Sequence, residues 1–379
     1  VSWHEELYEG AVAKNLIVGV KSNFWDYQLA PYGAGSLVIG VLAVPFFYIL
    51  GPSLFALKMV PLFCFSLPAL LLLYFFLKRN FNEKTAFWGA FLFVFAPPAF
   101  VANSLTSFCS HAASLLFSVS ILFLFYEFLY ARRNRLLFLI LFGLLSGITS
   151  YIVYVTFLTF LACLVSWFFL DRRGFLSKKL LLLLGALGIG LLPFIVYEGS
   201  HELGGTRFLT SVFLRQDWTA YPKAFKLLLA MIPSSFYPSF SRSWNLLLGY
   251  GYCLTVLAAL APFLRGGLKK ILPLLLYPLI FVTVCGISGY PASPIYGSFF
   301  NARYFVPLHF FLFLLTAIAL GFRRKSLVFG IAFLLLGIIS QGRLLFKEDF
   351  GRALFYKGYS YRYSGLSKTL WLKPLQGAA

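Results

Sequence analysis

Apolar runs of roughly 18 residues or more recur along almost the whole chain, and short basic clusters separate them. A helix of that length rises about 1.5 Å per residue, so it can cross a hydrocarbon core about 30 Å thick. Only 12% of the residues are charged, which leaves too little polar surface for a soluble fold of 379 residues. The unbroken Leu, Phe and Val runs also differ from the alternating strands of a membrane barrel. We therefore predict an all-α polytopic membrane protein.

The net charge of +20 is explained by where the charge lies. Half of the 32 basic residues fall in five short loops between apolar runs. The positive-inside rule assigns such loops to the cytoplasm, so the charge predicts membrane topology, and nucleic acid is not a predicted partner. The five loops lie at 78–84, 132–135, 172–179, 265–270 and 323–325.

These loops set the register of about ten predicted transmembrane helices. The predicted crossings are 54–77, 85–102, 112–130, 136–149, 151–170, 180–197, 246–263, 271–289, 304–322 and 326–340. Residues 136–170 are predicted to form a tight pair that turns at 149–151 on the outer side. The remaining outer connections are 103–111, 198–245, 290–303 and the tail 341–379.

The stretch 34–50 allows two interpretations, because it is long enough to cross and carries Pro45 near its end. If it crosses, residues 1–33 lie in the cytoplasm. If it lies along the outer interface, they face outside, and a preceding span is expected to be absent from the sequence. Charge counting does not choose, because the five basic loops keep the same side under both interpretations.

Three carboxylates, Glu5, Glu6 and Glu9, precede the first long apolar run. They are a quarter of all acidic residues in the chain. On a helix, Glu5, Tyr8 and Glu9 share one face, whereas Glu6 points elsewhere. One interpretation is an exposed amphipathic helix on the membrane surface. The other is a carboxylate base that activates an acceptor hydroxyl or amine.

Cofactor signals are few. A site made by His4, Glu5 and Glu9 would suit a divalent metal ion, but the histidines are isolated in sequence and form no HExxH motif. The five cysteines have no paired spacing and are interpreted as small buried hydrophobic residues. No metal ligand is therefore assigned, and no cofactor is predicted beyond the open case of a divalent metal.

Several cations on the predicted outer side could contact phosphate, since a guanidinium fork fits phosphate oxygens. The alternative for each is snorkelling at the interface. They include Lys58, Arg207, Arg215, Arg242 and Arg303.

Two long segments mix charged and aromatic residues. The loop 198–245 suits the binding of a sugar or acceptor, although it equally suits an interfacial helix. The basic aromatic tail 341–379 is typical of a segment at the lipid interface, with a phosphate-bearing substrate or a partner chain as the alternatives.

The order of several short motifs resembles the GT-C membrane glycosyltransferases, in the branch of protein O-mannosyltransferases and lipid A aminoarabinose transferases. The resemblance covers residues 4 to about 315. Its motifs are HEELYEGAVAKNL, APYGAGSL, LGPSLFALKMV, LKRNFNEKTA, GLLSGITSYIVYVTF at 143–157 and NARYFVPLHFF at 301–311.

The resemblance implies a GT-C-like transmembrane domain over 1–340 that lacks its first transmembrane helix. Residues 1–33 would then be the first external loop and 34–50 an interfacial helix. Such enzymes transfer a sugar from a polyprenyl-phosphate donor to an acceptor on the extracytoplasmic face, here of a bacterial inner membrane. Membrane lipids are a further expected partner.

The same resemblance suggests roles residue by residue. The family's first-loop Asp-Glu-x-x-Tyr becomes His4-Glu5-Glu6-Leu7-Tyr8, so the usual Asp is a His. A second acidic position is occupied by Ser110 or His111, and the Lys before the donor-region proline is Ala30. The implied residues are Glu5, Glu6 and His4 for catalysis, Arg303, Lys58 and Tyr304 for the donor phosphate, and Tyr8, Arg207 and His111 for the substrate.

The two altered acidic positions motivate an alternative function. A non-catalytic GT-C-like subunit would keep the fold and bind lipid or a membrane protein complex. A transporter is less favoured, because the predicted spans carry no paired ionisable residues at mid-depth.

Overall fold

The computed structural model describes residues 4–20, 37–105, 111–200, 220–236, 242–260, 268–288 and 302–322, with short pieces between 203 and 210 and between 331 and 342. For His4, Glu5, Glu6 and Arg303 it describes the backbone alone. Every regular element in this part of the chain is a helix, which confirms the all-α prediction.

The helices are long and apolar enough for a multi-pass membrane protein. Four of those described pass as single spans, and a bent pair gives a fifth. The count of about ten stays a prediction, because the last predicted crossing lies mostly outside the described residues and others appear as shorter apolar helices.

Fourteen helices are labelled here in chain order, and a 3₁₀ turn, Ala302–Phe305, leads into the last of them. Helix α3 includes a π-helical stretch, Val60–Ser66, where Pro61 cannot donate a backbone hydrogen bond. The helices are α1 His4–Ile17, α2 Val38–Leu50, α3 Leu54–Asn80, α4 Glu83–Val94, α5 Pro98–Ser104, α6 Ala113–Tyr130, α7 Arg135–Ile152, α8 Thr156–Leu170, α9 Lys178–Gly190, α10 Leu192–Ser200, α11 Ala220–Ser234, α12 Arg242–Leu260, α13 Leu268–Ile287 and α14 Val306–Phe322.

Helix α14 lies at the centre of the bundle. Every residue from Val306 to Leu320 is buried except Leu312, as expected for a helix that is apolar all round. The Phe311 ring stacks on the Tyr277 ring of α13, with centroids 3.8 Å apart. Aromatic and aliphatic packing around α14 therefore holds the spans together.

The tight hairpin forms, but the predicted turn at 149–151 is wrong. Helix α7 continues to Ile152, and the chain turns at 153–155. The hydroxyls of Thr149 and Ser150 both donate to the Ser146 carbonyl, at 3.3 and 2.6 Å. Because these polar groups are satisfied inside the helix, they do not end it.

Two predicted crossings are interrupted by proline. The crossing 85–102 is split into α4 and α5, since Pro97 and Pro98 follow the end of α4 and the second of them begins α5. The crossing 180–197 is the bent pair α9 and α10, whose axes differ by 52°. Pro193 lies in the first turn of α10, where its missing N–H ends the hydrogen bonding of α9.

Helix α2 falls within the ambiguous stretch 34–50. Its 13 residues span only about 20 Å, which is shorter than a hydrocarbon core. Ile39, Ala43 and Phe47 are buried in a cluster that includes residues of α1 and α3. The length therefore favours an interfacial helix over a crossing.

The long outer segment 198–245, for which the sequence left a helix as one alternative, contains helix α11. Ala224, Leu228 and Met231 form its buried stripe, at the three- and four-residue spacing of one helix face. The predicted interfacial tail 341–379 lies outside the described residues apart from position 342.

Four of the five basic loops lie at one end of the bundle, which we call the basic end. Arg79 and Glu127 join α3 to α6 by two charge-assisted hydrogen bonds, of 2.5 and 2.8 Å. The Lys270 ammonium donates to the Asn80 carbonyl at 3.3 Å. Phe128 and Trp167 join the ends of α6 and α8 by an edge-to-face contact of 4.9 Å. The fifth loop, 323–325, lies outside the described residues.

Candidate functional site

Two predicted site residues meet at the opposite end of the bundle, which we call the site end. His111 lies just before α6 and is buried, and its ring meets the Tyr304 ring edge-on at 5.1 Å. Tyr304 belongs to the 3₁₀ turn Ala302–Phe305, which also packs against α5 and α11. Segments from three distant parts of the sequence therefore converge on one small region.

Helix α1 is fixed to α2 by a buried carboxylate. Glu9 is fully buried, and its Oε2 accepts a hydrogen bond of 2.8 Å from the Gly40 backbone N–H. Gly40 lies in the first turn of α2, where an anion is favoured by the helix dipole. A Cβ on Gly40 would lie only 2.8 Å from the Val12 side chain, so the glycine allows the two helices to approach closely.

The α1–α2 pair lies at the site end. One hydrophobic cluster joins Ala13 of α1 and Ile39 of α2 to Ala56 of α3, Ala113 at the start of α6 and Val153 in the hairpin turn. Ala113 is only two positions from His111, so the helix that carries the predicted catalytic residues is connected by packing to the His111–Tyr304 pair.

The first turn of α1 carries His4, Glu5 and Glu6, whose side chains lie outside the described part of the structure. Tyr8 is 42% exposed, whereas Glu9 is fully buried, so the predicted face of Glu5, Tyr8 and Glu9 is divided between solvent and core. The roles of these residues stay predictions.

Glu9 itself is engaged with α2, which weighs against the divalent-metal site that the sequence had left open. Among the described residues, no three His, Cys, Asp or Glu side chains are grouped closely enough to hold a metal ion.

The predicted phosphate contacts are only partly described. Lys58 lies half-buried in α3, next to the buried Leu57. Arg303 lies in the 3₁₀ turn beside Tyr304, with only its backbone described. The structure therefore places Arg303 near His111 through its neighbour and leaves its side-chain contacts as a prediction.

Arg207 is exposed and follows a turn that was not predicted from the sequence. The Glu198 carboxylate, at the end of α10, accepts a hydrogen bond of 2.9 Å from the Thr206 backbone. The Glu198 carbonyl also accepts from the Leu203 N–H, and the Leu203 carbonyl accepts from the Arg207 N–H. Leu203 has a left-handed backbone with φ of 59°, which reverses the chain. Glu198 is therefore a structural residue for this part of the predicted substrate loop.

A second unanticipated contact lies beneath the 3₁₀ turn. The Ser235 hydroxyl is 2.7 Å from His309 Nε2, and both residues are buried. Since the hydroxyl donates its one proton to the Ile232 carbonyl, Nε2 is the donor in the contact with His309. This hydrogen bond links α11 to α14, but the isolated positions of the two residues in the sequence gave no signal of it.

The fold matches two solved structures of ArnT from Cupriavidus metallidurans. The apo structure has a TM-score of 0.56 at 13% identity over 86% of this chain and 57% of that one. The structure bound to undecaprenyl phosphate has a TM-score of 0.59 at 12% identity over 88% of this chain and 58% of that one. The chain has the GT-C fold.

This GT-C chain spans less than three fifths of the length of the ArnT structures. No protein-family model matches it, and no curated protein is similar to it in sequence. The likeness therefore establishes the fold that the sequence motifs predicted.

Proposed function

We propose that this GT-C chain transfers a sugar from a polyprenyl-phosphate donor to an acceptor at the site end, on the extracytoplasmic face of a bacterial inner membrane. The observation that carries the proposal is the meeting of His111 and Tyr304. Both residues were selected from sequence as site residues, one for substrate and one for donor phosphate. The ArnT neighbour bound to undecaprenyl phosphate supports a lipid-linked donor.

The first turn of α1 would supply the base. An acceptor oxygen or nitrogen attacks the anomeric carbon, and its proton passes to the carboxylate of Glu5 or Glu6. The bond between the sugar and the phosphate oxygen breaks, and its electron pair leaves with the polyprenyl phosphate. This single displacement needs a positioned acceptor and a stabilised leaving group, and no covalent enzyme intermediate.

The leaving phosphate would be stabilised by cations near the 3₁₀ turn. Arg303 adjoins Tyr304 in that turn, so one short segment would supply both a guanidinium and a phenol to the phosphate. A fixed cation beside the departing oxygen lowers the barrier because negative charge develops there in the transition state. Lys58 would be a second contact, from α3.

A lipid-linked donor needs lateral access from the bilayer. At the end of α2, Tyr48, Ile49 and Leu50 are 69%, 79% and 46% exposed. On α10, Ile195 and Val196 are 54% and 67% exposed. Apolar side chains therefore face lipid next to the site end, where a polyprenyl chain would lie.

The proposal is tested by the variants Glu5→Gln and Glu6→Gln, made singly and together. Transfer of radiolabelled sugar from polyprenyl phosphate is measured in membranes, with expression checked by immunoblot. Loss of the base is expected to lower the rate about 10²–10⁴-fold. Glu83→Gln is the matched control, since this exposed carboxylate at the basic end pairs only with Lys78 among the described residues. If all three Glu5 and Glu6 variants transfer sugar at the wild-type rate, the assignment of the base is wrong.

The non-catalytic subunit is retained as a second candidate because His4 occupies the family's usual Asp position. Purified protein would then consume no polyprenyl-phosphate sugar and would co-purify stoichiometrically with a larger assembly. Sugar release by the isolated chain would exclude this candidate.

A further inference from the structure

The turn between α8 and α9 concentrates positive charge at the basic end. We call residues 171–179 the cationic turn. Its four cations are all exposed, and its one carboxylate belongs to Asp171, so it has a net charge of +3. The cations are Arg172, Arg173, Lys178 and Lys179.

The cationic turn is rigidly built. Asp171 Oδ1 accepts a hydrogen bond of 2.9 Å from the Gly174 backbone N–H. A Cβ on Gly174 would lie 2.7 Å from the Asp171 carboxyl carbon, so glycine makes room for the carboxylate. The Ser177 hydroxyl donates to the Gly174 carbonyl at 2.6 Å. Because the backbone of the turn is ordered in advance, the turn would lose little conformational entropy when it binds a ligand.

Aromatic packing sets the depth of the cationic turn in the membrane. The Phe175 ring contacts the rings of Trp167 and Phe168 edge-on, at 5.3 and 5.4 Å. The Arg172 guanidinium lies 5.6 Å from the Phe168 ring centre. Phe169 and Leu176 are 67% and 65% exposed. Apolar side chains that face the hydrocarbon therefore adjoin the cations, which places the charges at the depth of the lipid headgroups.

The nearby acidic groups are engaged elsewhere. Glu127 pairs with Arg79, and Glu83 pairs with Lys78. Within the described part of the chain, no ion pair neutralises the cations of the turn. The positive charge is therefore left for a ligand outside the chain.

We infer that the cationic turn binds the headgroup phosphate of an anionic phospholipid in the leaflet at the basic end. The chemistry is that of phosphatidylglycerol or cardiolipin: a phosphate for the arginine and lysine side chains, and acyl chains for Phe169 and Leu176. A soluble phosphate would use the cations but not the exposed apolar residues. The inference does not depend on the proposed transferase activity, because the site lies at the opposite end of the bundle.

The experiment compares two double variants that remove equal charge from the basic end. Arg172→Gln with Arg173→Gln alters the cationic turn, and Arg132→Gln with Arg133→Gln alters the loop between α6 and α7, where both arginines are also exposed. Full-length protein is purified in micelles that contain equal phosphatidylglycerol and phosphatidylcholine. Retained lipids are counted by native mass spectrometry.

The wild type is expected to retain phosphatidylglycerol over phosphatidylcholine, and raised salt is expected to weaken this preference. Each cation near a membrane surface changes the affinity about fivefold, so the turn that has lost two cations should lose about 25-fold of the preference. The variant of the other loop should keep it. An equal loss in both variants would show a diffuse charge effect and overturn the inference, as would a wild type without any preference for the anionic lipid.

Discussion

Helices α7 and α9 pack at glycines that leave no room for a side chain. A Cβ on Gly147 of α7 would lie 2.8 Å from the Gly190 Cα of α9 and 2.7 Å from its carbonyl carbon. A Cβ on Gly143, one turn earlier, would lie 2.7 Å from the Leu183 carbonyl oxygen. Small residues four positions apart allow such close packing of membrane helices, where dispersion forces drive association.

The predicted perturbation is Gly147→Ala. The backbone atom nearest to the added carbon is the Leu187 carbonyl oxygen of α9, and ordinary contact begins at 3.4 Å, so the two backbones must separate by about 1 Å to admit the methyl group. A gap of about 0.5–1 Å loses a quarter to a half of the dispersion energy along the contact. We expect this overpacking to cost about 1–3 kcal/mol, against a gain of up to about 1 kcal/mol from the helix propensity of alanine.

Gly185→Ala is the matched control on α9, because no heavy atom lies within 4 Å of the added carbon. It should be neutral or stabilise by up to about 1 kcal/mol. The assay is the free energy of unfolding in detergent micelles, followed by circular dichroism during titration with a denaturing detergent. Equal stabilities for the two alanine variants would refute the close packing of α7 on α9.

Two further pairs of variants test buried carboxylates. Arg79→Gln removes the partner of Glu127, which is 5% exposed, and should destabilise by about 1–3 kcal/mol. Lys78→Gln removes an exposed pair and should leave the free energy of unfolding almost unchanged, so equal effects of the two variants would contradict the difference in burial. Glu9→Ala removes the acceptor for the Gly40 N–H and should lower stability by about 1 kcal/mol, whereas Glu9→Gln keeps an acceptor and should retain most of it. Both are measured by the same titration, and a Gln variant as unstable as the Ala variant would show that the charge matters more than the hydrogen bond.

The sequence correctly predicted that the four basic loops that the structure describes lie at one end of the bundle, and their cytoplasmic side stays a prediction. Their position follows from local charge and from the length of the intervening apolar runs, and neither property needs knowledge of tertiary contacts. The contact of Arg79 with Glu127 and the contact of Lys270 with Asn80 join loops that the charge pattern had assigned to one end. The helix boundaries were predicted less well. A proline breaks a helix because it removes a backbone N–H, whereas a hydroxyl that bonds to a carbonyl in its own helix allows the helix to continue.

The candidate site was only partly predictable. His111 and Tyr304 were each selected from short motifs, and only the fold shows that they touch. The three opening carboxylates look alike in sequence, yet Glu9 is buried against α2. The hydrogen bond of Ser235 with His309 joins two helices whose mutual register no sequence period encodes.

What the sequence determined by itself was therefore the membrane environment, the helical class and the gathering of the described basic loops at one end of the bundle. These depend on hydropathy and charge summed over a segment, and each segment carries that information alone. What only the tertiary structure decided was which polar groups share a region and which carboxylate is structural. Those outcomes depend on close approaches between distant segments, such as Gly40 against Val12, which exist only once the helices have packed.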